Sequence, residues 1–121
     1  MKKTVLVVDD SFSIRESIAF FLSETGFEII KAQDGQDALN QLDGKTIDLI
    51  LTDLHMPKMN GIELISNVRK IDQYKRVPIL LLTTETLNEK KIAAKKAGAT
   101  GWLSKPFEKD KLINVINKVL R

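Results

Sequence analysis

Thr4-Val5-Leu6-Val7-Val8 is a short apolar run that breaks off at Asp9-Asp10. A brief Val- and Leu-rich stretch bounded by polar residues reads as a β-strand. Four more runs of the same kind follow, at Phe27–Ala32, Ile47–Thr52, Pro78–Leu82 and Gly101–Ser104. The first, third and fourth are almost wholly apolar, as strands covered on both faces must be. The second carries Glu28 and Lys31 and the fifth is very short, which places these two at the edges of a sheet.

The stretches between the runs have helical spacing. Ile14, Ile18, Phe21 and Leu22 fall on one helix face, with Ser13 and Glu16 a candidate capping box and Gly26 a stop signal. Ala38, Leu39 and Leu42 form a shorter face closed by Gly44, and Leu64, Ile65, Val68 and Ile71 form a third. Leu87–Ala97 is the weakest, with Ala93, Ala94 and Ala97 before Gly98. Leu112, Ile113, Ile116, Val119 and Leu120 make the last. Strict alternation of strand and helix predicts an α/β fold, a parallel sheet with helices on both faces, because each parallel crossover needs a connection of that length.

Composition narrows the function. The chain has 121 residues, 43% hydrophobic and 29% charged, a span suited to one domain, taken as 1–121. With no cysteine there is no thiol nucleophile, zinc–thiolate site or disulfide framework, and a single histidine excludes any site needing two imidazoles. The longest apolar stretch, Val77–Leu82, is far below the roughly 20 residues of a membrane span, so a cytoplasmic protein without a membrane partner is expected. Net charge is +3, with lysine outnumbering arginine fifteen to four, a solubilising surface rather than one that reads nucleic acid. Lys90, Lys91, Lys95 and Lys96 crowd the fourth helical stretch, either as a solvated face or as a surface for an acidic partner.

The strand ends are the most informative feature. The first run finishes at Asp9-Asp10, the third at Asp53, the fourth at Thr83 and the fifth at Lys105. In open α/β sheets, ligands bind outside the carboxyl ends of the strands. If the first and third strands are neighbours, three carboxylates meet there, and either one is protonated or a cation sits among them. Hard oxygen donors without an imidazole pair or thiolates favour Mg2+. Lys105 is a point cation suited to phosphate and Thr83 a hydroxyl donor. Together these groups describe phosphoryl transfer onto an aspartate.

The order and spacing of these blocks resemble the receiver domain of bacterial two-component response regulators, of the stand-alone CheY-like chemotaxis type. The blocks are Val5-Leu6-Val7-Val8-Asp9-Asp10, Asp53, Met56-Pro57, Gly61, Thr83, Ala97-Gly98-Ala99 and Lys105-Pro106-Phe107. The resemblance implies a doubly wound, flavodoxin-like five-stranded sheet of order 2-1-3-4-5. It implies Asp53 as phosphoacceptor, with Asp10 and Asp53 as magnesium ligands and Asp9 holding the metal's waters. The backbone carbonyl of His55 would be a further ligand. Lys105 would pair with the phosphoryl group, Thr83 would move toward it, and Trp102 would be the aromatic that turns inward on activation. A cis peptide bond at Lys105-Pro106 is implied as well.

Three residues depart from the usual pattern. Trp102 stands where Tyr or Phe is usual, and the plainer alternative is a ring that merely covers the fifth strand. Thr84 replaces a small residue and would narrow access for the phosphodonor. His55 brings a titratable ring that, with Glu85 across the cleft, would tune hydrolysis of the acyl phosphate.

The expectation is a monomeric, non-enzymatic regulator that takes a phosphoryl group from a histidine kinase. Partner binding would switch through the face of the fourth helix, fifth strand and fifth helix. Its effector would be a motor switch, phosphatase or phosphotransfer protein. The sequence stops soon after the fifth helical stretch, which favours a stand-alone chemotaxis regulator over a transcription factor; a phosphorelay shuttle is the second choice. Two other readings are a magnesium-dependent aspartyl phosphatase, whose D-x-D first-strand pattern is missing from Asp9-Asp10-Ser11, and an unphosphorylated scaffold.

Overall fold

The computed structural model describes residues 2–120; Met1 and Arg121, the ends of the expected domain span, lie outside them. The strands are β1 (Thr4–Val8), β2 (Glu28–Ala32), β3 (Leu49–Thr52), β4 (Ile79–Thr83) and β5 (Gly101–Ser104). The helices are α1 (Phe12–Leu22), α2 (Gly35–Leu42), α3 (Gly61–Arg69), α4 (Asn88–Ala97) and α5 (Lys109–Val119). The sheet is parallel, of order β2-β1-β3-β4-β5, with the two least apolar strands at its edges.

Strand alternation sorts the core into two layers. Val5, Val7, Leu49, Leu51, Leu80, Leu82 and Leu103 face α1 and α5, meeting Ile18, Leu22, Leu112 and Ile116. Leu6, Val8, Ile50, Ile79 and Leu81 face the opposite way, onto Ala38, Leu42, Leu64, Ile65, Val68 and Ala94 of α2, α3 and α4. Because the side-chain period of a strand is 2, this assignment cannot slip by one residue without turning both layers inside out.

The start of α1 differs from the expected capping box. Ser11, not Ser13, is the N-cap, its hydroxyl accepting from the Ile14 amide at 3.4 Å. Ser13 lies inside the helix, and Glu16 pairs instead with Lys31 of β2 at 2.8 Å. The capping box is built on α3, where Asn60 and Glu63 satisfy each other's backbone amides. The peptide bond Lys105-Pro106 is cis.

Candidate functional site

The polar residues at the strand ends are fixed by hydrogen bonds that continue the sheet ladder past its last apolar residues. The Asp9 amide donates to the Ala32 carbonyl at 3.2 Å, the Asp53 amide to Val8 at 3.0 Å and the Lys105 amide to Thr83 at 2.9 Å. Groups distant in the chain are thereby delivered to one sheet edge. Carboxylate oxygens of Asp9, Asp10 and Asp53 all lie within 4.8 Å of one another.

Burial grades the three. Asp9 is 2% exposed, Asp53 half-buried and Asp10 open to solvent. The Asp9 carboxylate accepts from the Ser11 amide at 2.9 Å and from Lys105 Nζ at 2.9 Å. Asp53 Oδ1 accepts from the Leu54 amide at 2.7 Å, while its Oδ2 lies 3.5 Å from Lys105 Nζ. One ammonium therefore offsets part of the repulsion among three carboxylates, and the pocket keeps a net negative charge. The donor set is all oxygen and open at Asp10, which fits a hard divalent cation retaining part of its water shell. Asp10, Asp53 and Asp9 are the side chains that would hold it.

The remaining expected residues ring this cluster. Thr83 is fully buried at the end of β4, its hydroxyl accepting from the Glu85 amide at 3.2 Å. His55 and Glu85 meet across the cleft, Nε2 to Oε1, at 3.0 Å. The amides of Leu87 and Thr86 also donate to Glu85, and these bonds with His55 hold its carboxyl below the usual range, Leu87 contributing most. Thr84 is exposed and lies with Lys105 and Pro106 on a groove that runs along Ile14, Ile18 and Phe21 of α1.

Trp102 pairs in register with Leu81, two residues before Thr83 and therefore on the same sheet face. Its half-buried ring packs against the α3–α4 layer, with Lys91 Nζ 5.6 Å from the ring centroid. Its indole N–H is buried without a hydrogen-bond partner among the described residues.

Three further residues shape the site. A Cβ on Gly61 would collide with the Asp53 carbonyl and come within 3.0 Å of Leu54 Cα, so only glycine lets α3 begin against the Asp53 backbone. Gly61 stood among the blocks that carry the family resemblance, without that reason. Ser11 caps α1. Arg15 Nη1 donates to the Asp9 carbonyl at 2.6 Å, a contact that no sequence pattern announced.

The comparisons with known proteins agree with this geometry. The response regulator receiver domain family matches residues 5–117. The fold is similar to that of the Vibrio cholerae chemotaxis protein CheY4, with 45% identity, a TM-score of 0.95, and 99% of this chain and 100% of that one covered. A CheY-like receiver domain protein from Methanospirillum hungatei superposes with a TM-score of 0.93 at 26% identity, covering 99% of this chain and 94% of that one. The phosphate regulon transcriptional regulatory protein PhoB of Escherichia coli is 33% identical over 121 residues. The match takes in 100% of this chain but only 53% of PhoB, so the chain spans about half the length of that relative. Among the described residues, no helix is long and apolar enough to cross a membrane. The chain belongs to the response regulator receiver domain family.

Proposed function

We propose that the protein accepts a phosphoryl group from a histidine kinase on Asp53 and passes the signal on by changing which partner it binds. The observation that carries this reading is the convergence of Asp9, Asp10 and Asp53 with Lys105 at the carboxyl edge of the sheet. An Asp53 carboxylate oxygen attacks phosphorus, the P–N bond to the donor imidazole breaks, and its electron pair returns to the ring nitrogen. Lys105 swings from Asp9 toward the phosphoryl oxygens, the shift between two acceptors being small. A magnesium ion held by Asp9, Asp10, Asp53 and the His55 carbonyl would neutralise charge on those oxygens.

The added charge of about −1.5 to −2 lies beside Thr83, whose hydroxyl can donate to it. Thr83 and Trp102 share a sheet face, so a shift of the threonine alters the space the indole occupies, and the unsatisfied N–H favours a second position for the ring. Phosphorylation then shifts populations between two packings of α4, β5 and α5. Lys91 and Lys95 line a groove of about 210 Å³ there with Ala94, Ala99, Gly101 and Trp102, which supports an acidic partner. Likeness to CheY4 supports a chemotaxis role; a cytoplasmic site of action and the lack of turnover of a separate substrate belong to the same proposal.

Intact-mass analysis after incubation with acetyl phosphate, with and without magnesium, tests the reading. The expected result is one phosphoryl increment that needs magnesium and disappears in Asp53→Ala. No increment on the wild-type chain overturns it.

A further inference from the structure

Arg15 and Phe12 take no part in the chemistry above, yet both bear on the turn that presents the acidic pair. The carbonyl that accepts from Arg15 Nη1 at 2.6 Å belongs to the peptide unit joining Asp9 to Asp10. Holding that oxygen fixes the plane of the peptide, and so the direction in which the chain enters Asp10. On the other side of Asp9, its carboxylate takes the Ser11 amide at 2.9 Å. The turn is thus gripped from two sides, and its hydrogen bonds go to Asp9 rather than to the exposed Asp10 carboxylate.

Phe12 is 67% exposed, so burial does not account for a phenylalanine there. The Arg15 guanidinium lies 5.8 Å from the centroid of its ring, within range of a cation–π contact. Phe12 therefore serves as a platform that keeps a long side chain folded back over the first turn of α1.

We propose that Arg15, seated on Phe12, is a positioning residue for the Asp10 carboxylate. Cation affinity at the acidic cluster then depends on a side chain that offers the cation no donor atom of its own; this rests on reading the cluster as a cation site. Two effects of removing Arg15 have opposite signs. Loss of a nearby positive charge strengthens cation binding, whereas loss of the grip on the Asp9–Asp10 peptide weakens it. The hydrogen bond acts directly on the backbone of a ligand, while the charge is partly exposed and screened, so the grip dominates.

The test is calorimetric titration of the purified chain with magnesium chloride, together with amide hydrogen exchange of the metal-free protein followed by NMR. Arg15→Met is expected to weaken magnesium binding about 5- to 10-fold and Phe12→Ala about 2- to 3-fold. Arg15→Lys, which keeps the repelling charge but loses the planar fork, should bind magnesium no more tightly than Arg15→Met. Exchange at Asp10 and Ser11 should quicken in Arg15→Met while Leu51 and Leu81 stay protected, separating a local effect from unfolding. Unchanged or tighter magnesium binding in Arg15→Met overturns the proposal. Absence of magnesium binding by the wild-type chain is a failure of the cation reading instead. The exchange data then decide alone, and unchanged rates at Asp10 and Ser11 overturn the role of Arg15.

Discussion

Lys105 Nζ lies 2.9 Å from Asp9 and 3.5 Å from Asp53, so the lysine rests mainly on the buried carboxylate and only leans toward the candidate acceptor. Asp10 receives least of this compensation, and its charge is the most dispensable to the metal-free fold. Asp10→Asn should stabilise the metal-free protein by about 1 kcal/mol, the high-dielectric value for one charge pair near 4 Å. Magnesium at 100 times its Kd should stabilise wild type by about 2.7 kcal/mol and the variant far less. Urea denaturation of both proteins with and without magnesium checks this; a variant stabilised by the metal as much as wild type would remove Asp10 from the cation site.

A side chain from α3 fastens the C-terminal end of α4, whereas the N-cap residue supplies no side-chain bond to its first turn. Arg69 donates to the Gly98 carbonyl through Nε at 3.1 Å and Nη2 at 2.7 Å, and to Tyr74 through Nη1 at 3.0 Å. Leu87, at the other end, supplies no side-chain cap. Burial lowers the pKa of Arg69, a measure of how far the guanidinium has left water. Arg69→Met should cost about 1–3 kcal/mol, since it strips partners from two carbonyls. Denaturant unfolding would show it, and a loss below 0.5 kcal/mol would mean that water replaces the guanidinium.

Tyr74 ties the end of α2 to the segment before β4. Its hydroxyl donates to the Lys45 carbonyl at 2.6 Å, with the Leu42 carbonyl 3.1 Å away. Burial, reinforced by the charge of Asp43, raises its pKa. A raised folded-state value means that stability is intact below the unfolded pKa of about 10 and is lost as pH climbs through the folded one. Tyr74→Phe should lower stability by about 1 kcal/mol at neutral pH and flatten the decline above pH 10. Thermal unfolding between pH 7 and 11 measures both.

Lys58 adopts φ +68, in the left-handed region, within the loop that follows Asp53. Strain there is about 1–2 kcal/mol, and glycine relieves it at an unfolded-state cost of about 0.4–1 kcal/mol. Lys58→Gly should therefore be neutral to stabilising, by about 0.5 kcal/mol, where most loop glycines introduced elsewhere destabilise. A loss above 1 kcal/mol in denaturant unfolding would show that the lysine side chain contributes more than its backbone costs.

Much of the fold was legible because its signals are local. Val5–Val8, Leu49–Leu51 and Ile79–Leu82 are apolar at every position, which marks strands covered on both faces, and Glu28 and Lys31 mark an edge. The strand ends at Asp9-Asp10, Asp53, Thr83 and Lys105 were visible for the same reason, since an abrupt change from apolar to polar needs no knowledge of distant partners. Periodicity did not find the N-cap, because Ser11 and Ser13 are equally good cap residues and only the path of the turn chooses between them.

What tertiary structure alone decided is who meets whom. Lys105 is separated from Asp9 by 96 positions, and its preference for Asp9 over Asp53 follows from strand order and burial, not from spacing. The reach of Arg15 back to the Asp9 carbonyl, the hold of Arg69 on Gly98 and the missing space for a Cβ at Gly61 are of the same kind. Residue types and their periods determine which segments become strands and helices and which faces they bury. Contacts between polar groups depend on distances of a few ångströms between segments that the sheet brings together, and those exist only once the chain has folded.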